Sequence, residues 1–187
     1  HLMEPTEQLA AILPAITDLV DRVQPEDLDN PTPCDKFELL DVLDHMITLG
    51  GAFGYMFRGE EPPEGGPLER NGTVPAAEFR KVMDDLLDGV RSDGAMERTI
   101  SAPVGEMPGE TFARLVAFDG LVHGWDIARA AGLPYDLPHD VVGAVETFAH
   151  GAITAEMRDG DTFKVPTTPP AGATHIERVA AFSGRTV

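Results

Sequence analysis

Apolar residues recur at steps of three and four along most of this chain, and only helices can bury a pattern of that period on one side. Leu9, Ile12, Leu13, Ile16, Leu19, Val20 and Val23 form the first such stripe. They predict a helix over 5–23, with Pro14 inside it removing one backbone donor. Asp35 stands where an N-cap belongs, ahead of Leu39, Leu40, Val42, Leu43, Met46, Ile47, Leu49, Phe53, Met56 and Phe57. These nearly encircle a second helix and place it centrally. Thr73 and Pro75 open a third, with Phe79, Val82, Met83, Leu86, Leu87 and Val90 on its apolar face. A fourth runs from Thr111 to Gly132, where a left-handed cap suits glycine, and a fifth starts at Pro138 with Val141, Val145, Phe148 and Ala152 aligned. Thr174 and Glu177 have capping-box spacing for a short last helix stopped by Gly184.

The intervening stretches are rich in helix breakers. Residues 24–33 hold three prolines and act as a connector, and 59–72 is a loop too polar to order itself by burial. Residues 99–110, with two prolines and two glycines, read as an extended crossover. The expected architecture is an all-α four-helix bundle with a crossover connection and a short extra C-terminal helix. It forms a single domain over 3–187; His1 and Leu2 precede the first methionine and are set aside.

Composition narrows the function. With 32 acidic and 14 basic residues the net charge is −18, which excludes electrostatic attraction to nucleic acid or to anionic membranes. No apolar run reaches the roughly 18 residues of a membrane helix, and the N-terminus does not read as a secretory signal. One cysteine, Cys34, cannot close an internal disulfide. The expectation is a soluble protein of the reduced cytoplasm; its oligomeric state is open, with a homodimer among the options.

The fourth helix carries ionisable groups on its apolar stripe. Asp119, His123 and Asp126 are four and three residues apart, so all three point within about 60° of one another. A carboxylate and an imidazole one turn apart can reach one divalent ion, and helical bundles build such sites from facing helices. His45 supplies the facing ligand: Val42 and Leu49 put it on an apolar face of the second helix. By pattern alone, however, Asp119 and His123 serve equally well as a core histidine bonded to a carboxylate, or as a pair on a wetter face. Glu146 and His150 share their spacing but lie off the apolar line of the fifth helix and read as a solvated pair. Cys34 is placed about 16 Å from His45 along helix two, too far to share an ion, and reads as packing or capping. Trp125 reads as core, and His139 and His175 as surface residues.

Three segments add a resemblance. Thr32, Pro33 and Cys34 followed by Asp41 to Met46 (DVLDHM), then His123 to Gly132 (HGWDIARAAG), then His175 to Arg185 (HIERVAAFSGR) occur in order and at the right spacing. Together they resemble the mycothiol-dependent maleylpyruvate isomerase N-terminal domain of actinobacterial type and its DinB-like metal-binding relatives. That family implies one divalent metal held by a histidine of the second helix and two residues a turn apart on a later one. Those positions fall on His45, Asp119 and His123. Asp119 departs from the glutamate or histidine usual there and reaches less far, while Asp126 is placed to orient the His123 imidazole. Phe37 stands where tryptophan is frequent.

Two imidazoles and a carboxylate suit zinc, with nickel also acceptable. Three protein ligands leave a coordination position open. The resemblance implies that mycothiol or another low-molecular-weight thiol occupies it and meets an electrophilic substrate, which makes a thiol transferase. The isomerase's further C-terminal domain has no counterpart in this sequence, so isomerisation of maleylpyruvate itself does not follow. The competing reading is a non-catalytic metal-binding protein or stress-linked sensor.

Overall fold

The computed structural model describes residues 2–66, 68–158 and 163–187. Its helices are α1 (Pro5–Val20), α2 (Leu39–Arg58), α3 (Ala76–Val90), α4 (Gly109–Ala131), α5 (His139–Ala152) and α6 (His175–Phe182). Each is built on the expected apolar stripe. Pro14 is tolerated because it faces solvent, where water satisfies the carbonyl it leaves unpaired. Gly132 caps α4 with φ of 67°, and Thr174 and Glu177 close the capping box of α6.

Helices α1 to α4 pack in a ring, α1 on α3 and α4 and α2 on the same two, so that chain neighbours α1 and α2 lie across a diagonal, as do α3 and α4. Diagonal connections must be long, which accounts for the segments 21–38 and 91–108. Helices α5 and α6 lie against α4 and against each other, making α4 the central element.

Three expectations are corrected. First, 99–110 is not a plain crossover. Thr99–Ala102 (β1) pairs antiparallel with Gly105–Pro108 (β2), Ile100 opposite Met107, and buried Ile100 ties the hairpin to the core. Among the described residues the fold is therefore mostly helical, with six α-helices and a two-stranded sheet, in line with a DinB-like helical arrangement but more than a four-helix bundle with one short addition. Second, α1 stops at Val20. Third, α2 starts four residues beyond Asp35, at an N-cap Glu38 that exchanges capping bonds with Asp41.

The start of α4 depends on Gly109. A methyl group there would collide with the backbone carbonyl of Ala95, in the segment whose Met96 and Arg98 carbonyls accept from the Glu110 and Gly109 N–H groups at the helix entry. Among the described residues no helix is long and apolar enough to cross a membrane.

Candidate metal centre

The site is assembled where α2 crosses α4. On α4, His123 is buried, with its Nε2 3.4 Å from Asp119 Oδ1 and its Nδ1 3.1 Å from Asp126 Oδ2. On α2, half-buried His45 meets the His123 ring edge-on, centroids 5.2 Å apart, and the Phe37 ring packs on His45 with centroids 5.6 Å apart. The structure thus brings three sequence candidates together: ligand atoms of His45, Asp119 and His123 all lie within 4.8 Å of one another. A tetrahedral ion with bonds of about 2.0–2.1 Å holds its ligands about 3.3 Å apart. The Asp119 to His123 spacing already has that value, and the His45 ligand atom lies within 4.8 Å of both. The donor set and its geometry fit a divalent ion.

Asp119 corrects the sequence reading in one respect. It is not on a buried stripe, because its side chain is 58% exposed at the edge of α4, bordering a cavity. His123 and Asp126 are the buried members. Asp126 is wholly inaccessible and is held by two cationic partners, since Arg185 beyond α6 donates from Nε to Oδ1 at 3.3 Å and from Nη2 to Oδ2 at 3.0 Å. Burying a carboxylate without such partners is prohibitive. Arg185 belongs to the quoted closing segment, but nothing local in the sequence pairs it with a residue 59 positions earlier.

Electrostatics order the two imidazoles oppositely. Burial alone would depress His123, but the Asp119 and Asp126 carboxylates overcome it and lift its pKa to about 9. Burial and the facing His123 charge push His45 below its ordinary value. The packed surroundings of Asp119 oppose its ionisation although its side chain reaches solvent, and the His123 charge outweighs them and holds that carboxyl below the usual range. Without metal, then, His123 is an imidazolium between two carboxylates. Because its folded pKa lies above the unfolded value of about 6.5, its stabilisation is complete below that pH and is lost as pH rises through about 9. We expect thermal unfolding of the chelator-treated protein to move to lower temperature between pH 6.5 and 9.5. The loss should be on the order of 3 kcal/mol, and His123→Gln should flatten it.

Cys34 also corrects its reading. Only residues 39–44 of the chain between it and His45 are helical, because α2 starts at Leu39. Thr32 Oγ1 donates to Phe37 O at 2.7 Å, Pro31 bridges to Glu38, and Lys36 takes a left-handed φ of 67°, so that 31–38 doubles back over the site. The Cys34 thiol comes within 4.8 Å of ligand atoms of His123 and Asp126, a group separate from the one His123 makes with His45 and Asp119. Burial pushes its pKa up, only partly offset by Arg185.

The remaining candidates lie elsewhere. Glu146 bonds His175 at 2.9 Å rather than His150, which stacks on Phe182. His175 is accordingly half-buried, not a surface residue, whereas His139 is exposed. Trp125 is core, as expected, with Arg129 over its ring. Gly124 lets Tyr135 approach α4 closely enough for its hydroxyl to donate to Leu121 O at 3.0 Å.

Comparison with known proteins follows the same residues. An uncharacterized protein of Mycobacterium tuberculosis, matched in strains CDC 1551 and H37Rv, is 30% identical over 180 residues, covering 92% of this chain and 93% of the relative. No solved structure matches. The family model for the mycothiol maleylpyruvate isomerase N-terminal domain matches residues 9–128, a span that includes His45, Asp119, His123 and Asp126. A match over more than half of the chain, carrying every candidate residue of the site except Arg185, the partner of Asp126, shows that this protein belongs to the mycothiol maleylpyruvate isomerase N-terminal domain family.

Proposed function

We propose that the protein is a metal-dependent transferase of a low-molecular-weight thiol of the mycothiol type, with His45, Asp119 and His123 holding one divalent ion. The observation that carries this reading is the convergence of two imidazoles and one carboxylate from crossing helices beside a cavity. Zinc is the ion that this set suits best, and nickel would accept it. Bound there, a divalent cation supplies the positive charge that lets a thiol give up its proton near neutral pH.

The chain's own residues set the conditions for that chemistry. Asp126 accepts the Nδ1–H of His123, which fixes the tautomer and leaves Nε2 facing His45 and Asp119. Arg185 holds Asp126 from the opposite side, so the imidazole cannot rotate without breaking a buried ion pair. Asp119, at the exposed edge, has room to move between the ion and His123. Phe37 shields the back of His45 from water.

Cobalt substitution tests this reading. A sulfur ligand adds a charge-transfer band in the near ultraviolet, and the band is expected only after mycothiol or a simpler thiol is added at millimolar concentration. No band, together with no conjugation of any electrophile, would reject the transferase. One observation favours the alternative of a non-catalytic metal-binding or sensor protein, namely the Cys34 thiol near His123. In that case the band is present before any thiol is added and disappears in Cys34→Ser.

A further inference from the structure

Beside His45 and Asp119 lies a cavity of about 200 Å³. Leu49 and Phe53 of α2 and Phe112 and Leu115 of α4 form its walls, Val104 at the turn of the hairpin stands at one side, and Phe163 at another. Among the described residues the only ionisable side chains reaching it are His45 and Asp119, and no lysine or arginine lines it. Arg185 is committed to Asp126.

Size and charge together restrict what can enter. An engineered apolar cavity of about 150 Å³ stays dry and takes up benzene, so this one has room for a single ring with a substituent. Aromatic walls favour a ring edge-on or offset, as Phe53 already meets Phe112 with centroids 4.8 Å apart. An anionic group would have to shed its water beside the Asp119 carboxylate, in a chain of net charge −18, with no lysine or arginine among the described lining residues to receive it, and the one open position of a four-coordinate ion is taken by the thiol in the function proposed above.

Resting on the function proposed above, we propose that the acceptor substrate is a neutral electrophile carrying one apolar group of about the size of a substituted benzene ring. An acid of the maleylpyruvate kind, with its carboxylates, is disfavoured in this cavity. The hairpin matters to this selection, because Val104 lines the cavity although 43% of it is exposed.

Nitrobenzene and benzoate test the inference, since they share a shape and differ by one charge. Each is titrated into the full chain, first treated with chelator so that no ion offers the carboxylate a ligand, and followed by methyl NMR. Nitrobenzene is expected to shift the methyl signals of Leu49, Val104 and Leu115 and to bind at least about tenfold tighter than benzoate. Benzoate binding equally or more tightly, or shifts confined to other methyl groups, overturns the proposal. Val104→Lys, at an exposed position where folding is not at stake, is expected to raise benzoate affinity about fivefold or more; no gain would remove the hairpin from the cavity. A chain that selects nitrobenzene yet takes up no metal keeps this inference and loses the function it rests on. A chain that binds metal and thiol but prefers benzoate does the reverse.

Discussion

His45→Ala and His123→Ala are each expected to reduce bound divalent metal from one ion per chain to less than about a tenth of that at micromolar concentration. The imidazoles are two of three protein ligands, and either loss leaves one nitrogen and one exposed carboxylate. Structural zinc sites are worth about 10–16 kcal/mol over four ligands, so one ligand accounts for about 3 kcal/mol, or a hundredfold in affinity. The two variants should differ in their side effects. His45 is half-buried with Phe37 and His123 as ring neighbours, so its removal should leave the fold intact. His123 is buried between two carboxylates, and its removal should also lower stability. Glu146→Ala is the control, because that carboxylate lies on α5, away from the α2–α4 crossing, and is engaged by His175 of α6. Mass spectrometry of protein purified without added metal, then equilibrated with micromolar zinc, reads the outcome. Undiminished stoichiometry in both histidine variants would dismantle the metal centre.

Asp126→Ala is expected to be the most destabilising single change at the site, at about 3–5 kcal/mol. Its carboxylate is wholly buried and meets two cationic groups, the His123 ring at 3.1 Å and the Arg185 guanidinium at 3.0 Å. Truncation leaves Arg185 four-fifths buried without its counter-charge and frees the His123 ring to turn. In a chain of this size each kcal/mol shifts the unfolding midpoint by about 2–4 °C, so a fall of roughly 10 °C is the expected reading. Asp126→Asn keeps an acceptor for the imidazole and should fold, with metal affinity weakened about 10 to 100 fold. Adding Arg185→Met to Asp126→Ala should restore part of the stability, because no unpaired guanidinium remains. A double variant no more stable than Asp126→Ala alone would show that the ion pair does not anchor the site.

The sequence by itself determined what is local. Helical periodicity is carried by residues three and four apart, so the six helices, the cap at Gly132 and the capping box at Thr174 could be read directly. The same locality puts Asp119, His123 and Asp126 on one side of α4, whatever else the chain does. His45 needed only its own apolar face to be singled out. Tertiary structure alone decided everything that depends on which elements meet. Periodicity ranks faces but does not say how far a stripe extends beneath its neighbours, so Asp119 proved exposed and Asp126 wholly buried. A left-handed backbone at Lys36, invisible to apolar pattern, turned Cys34 from a distant cap into a neighbour of His123. Glu146 took His175, from another helix, over His150 one turn away on its own. Arg185 reached Asp126 because α6 packs on α4 and delivers the chain that follows it, a consequence of long-range burial that no short-range spacing encodes.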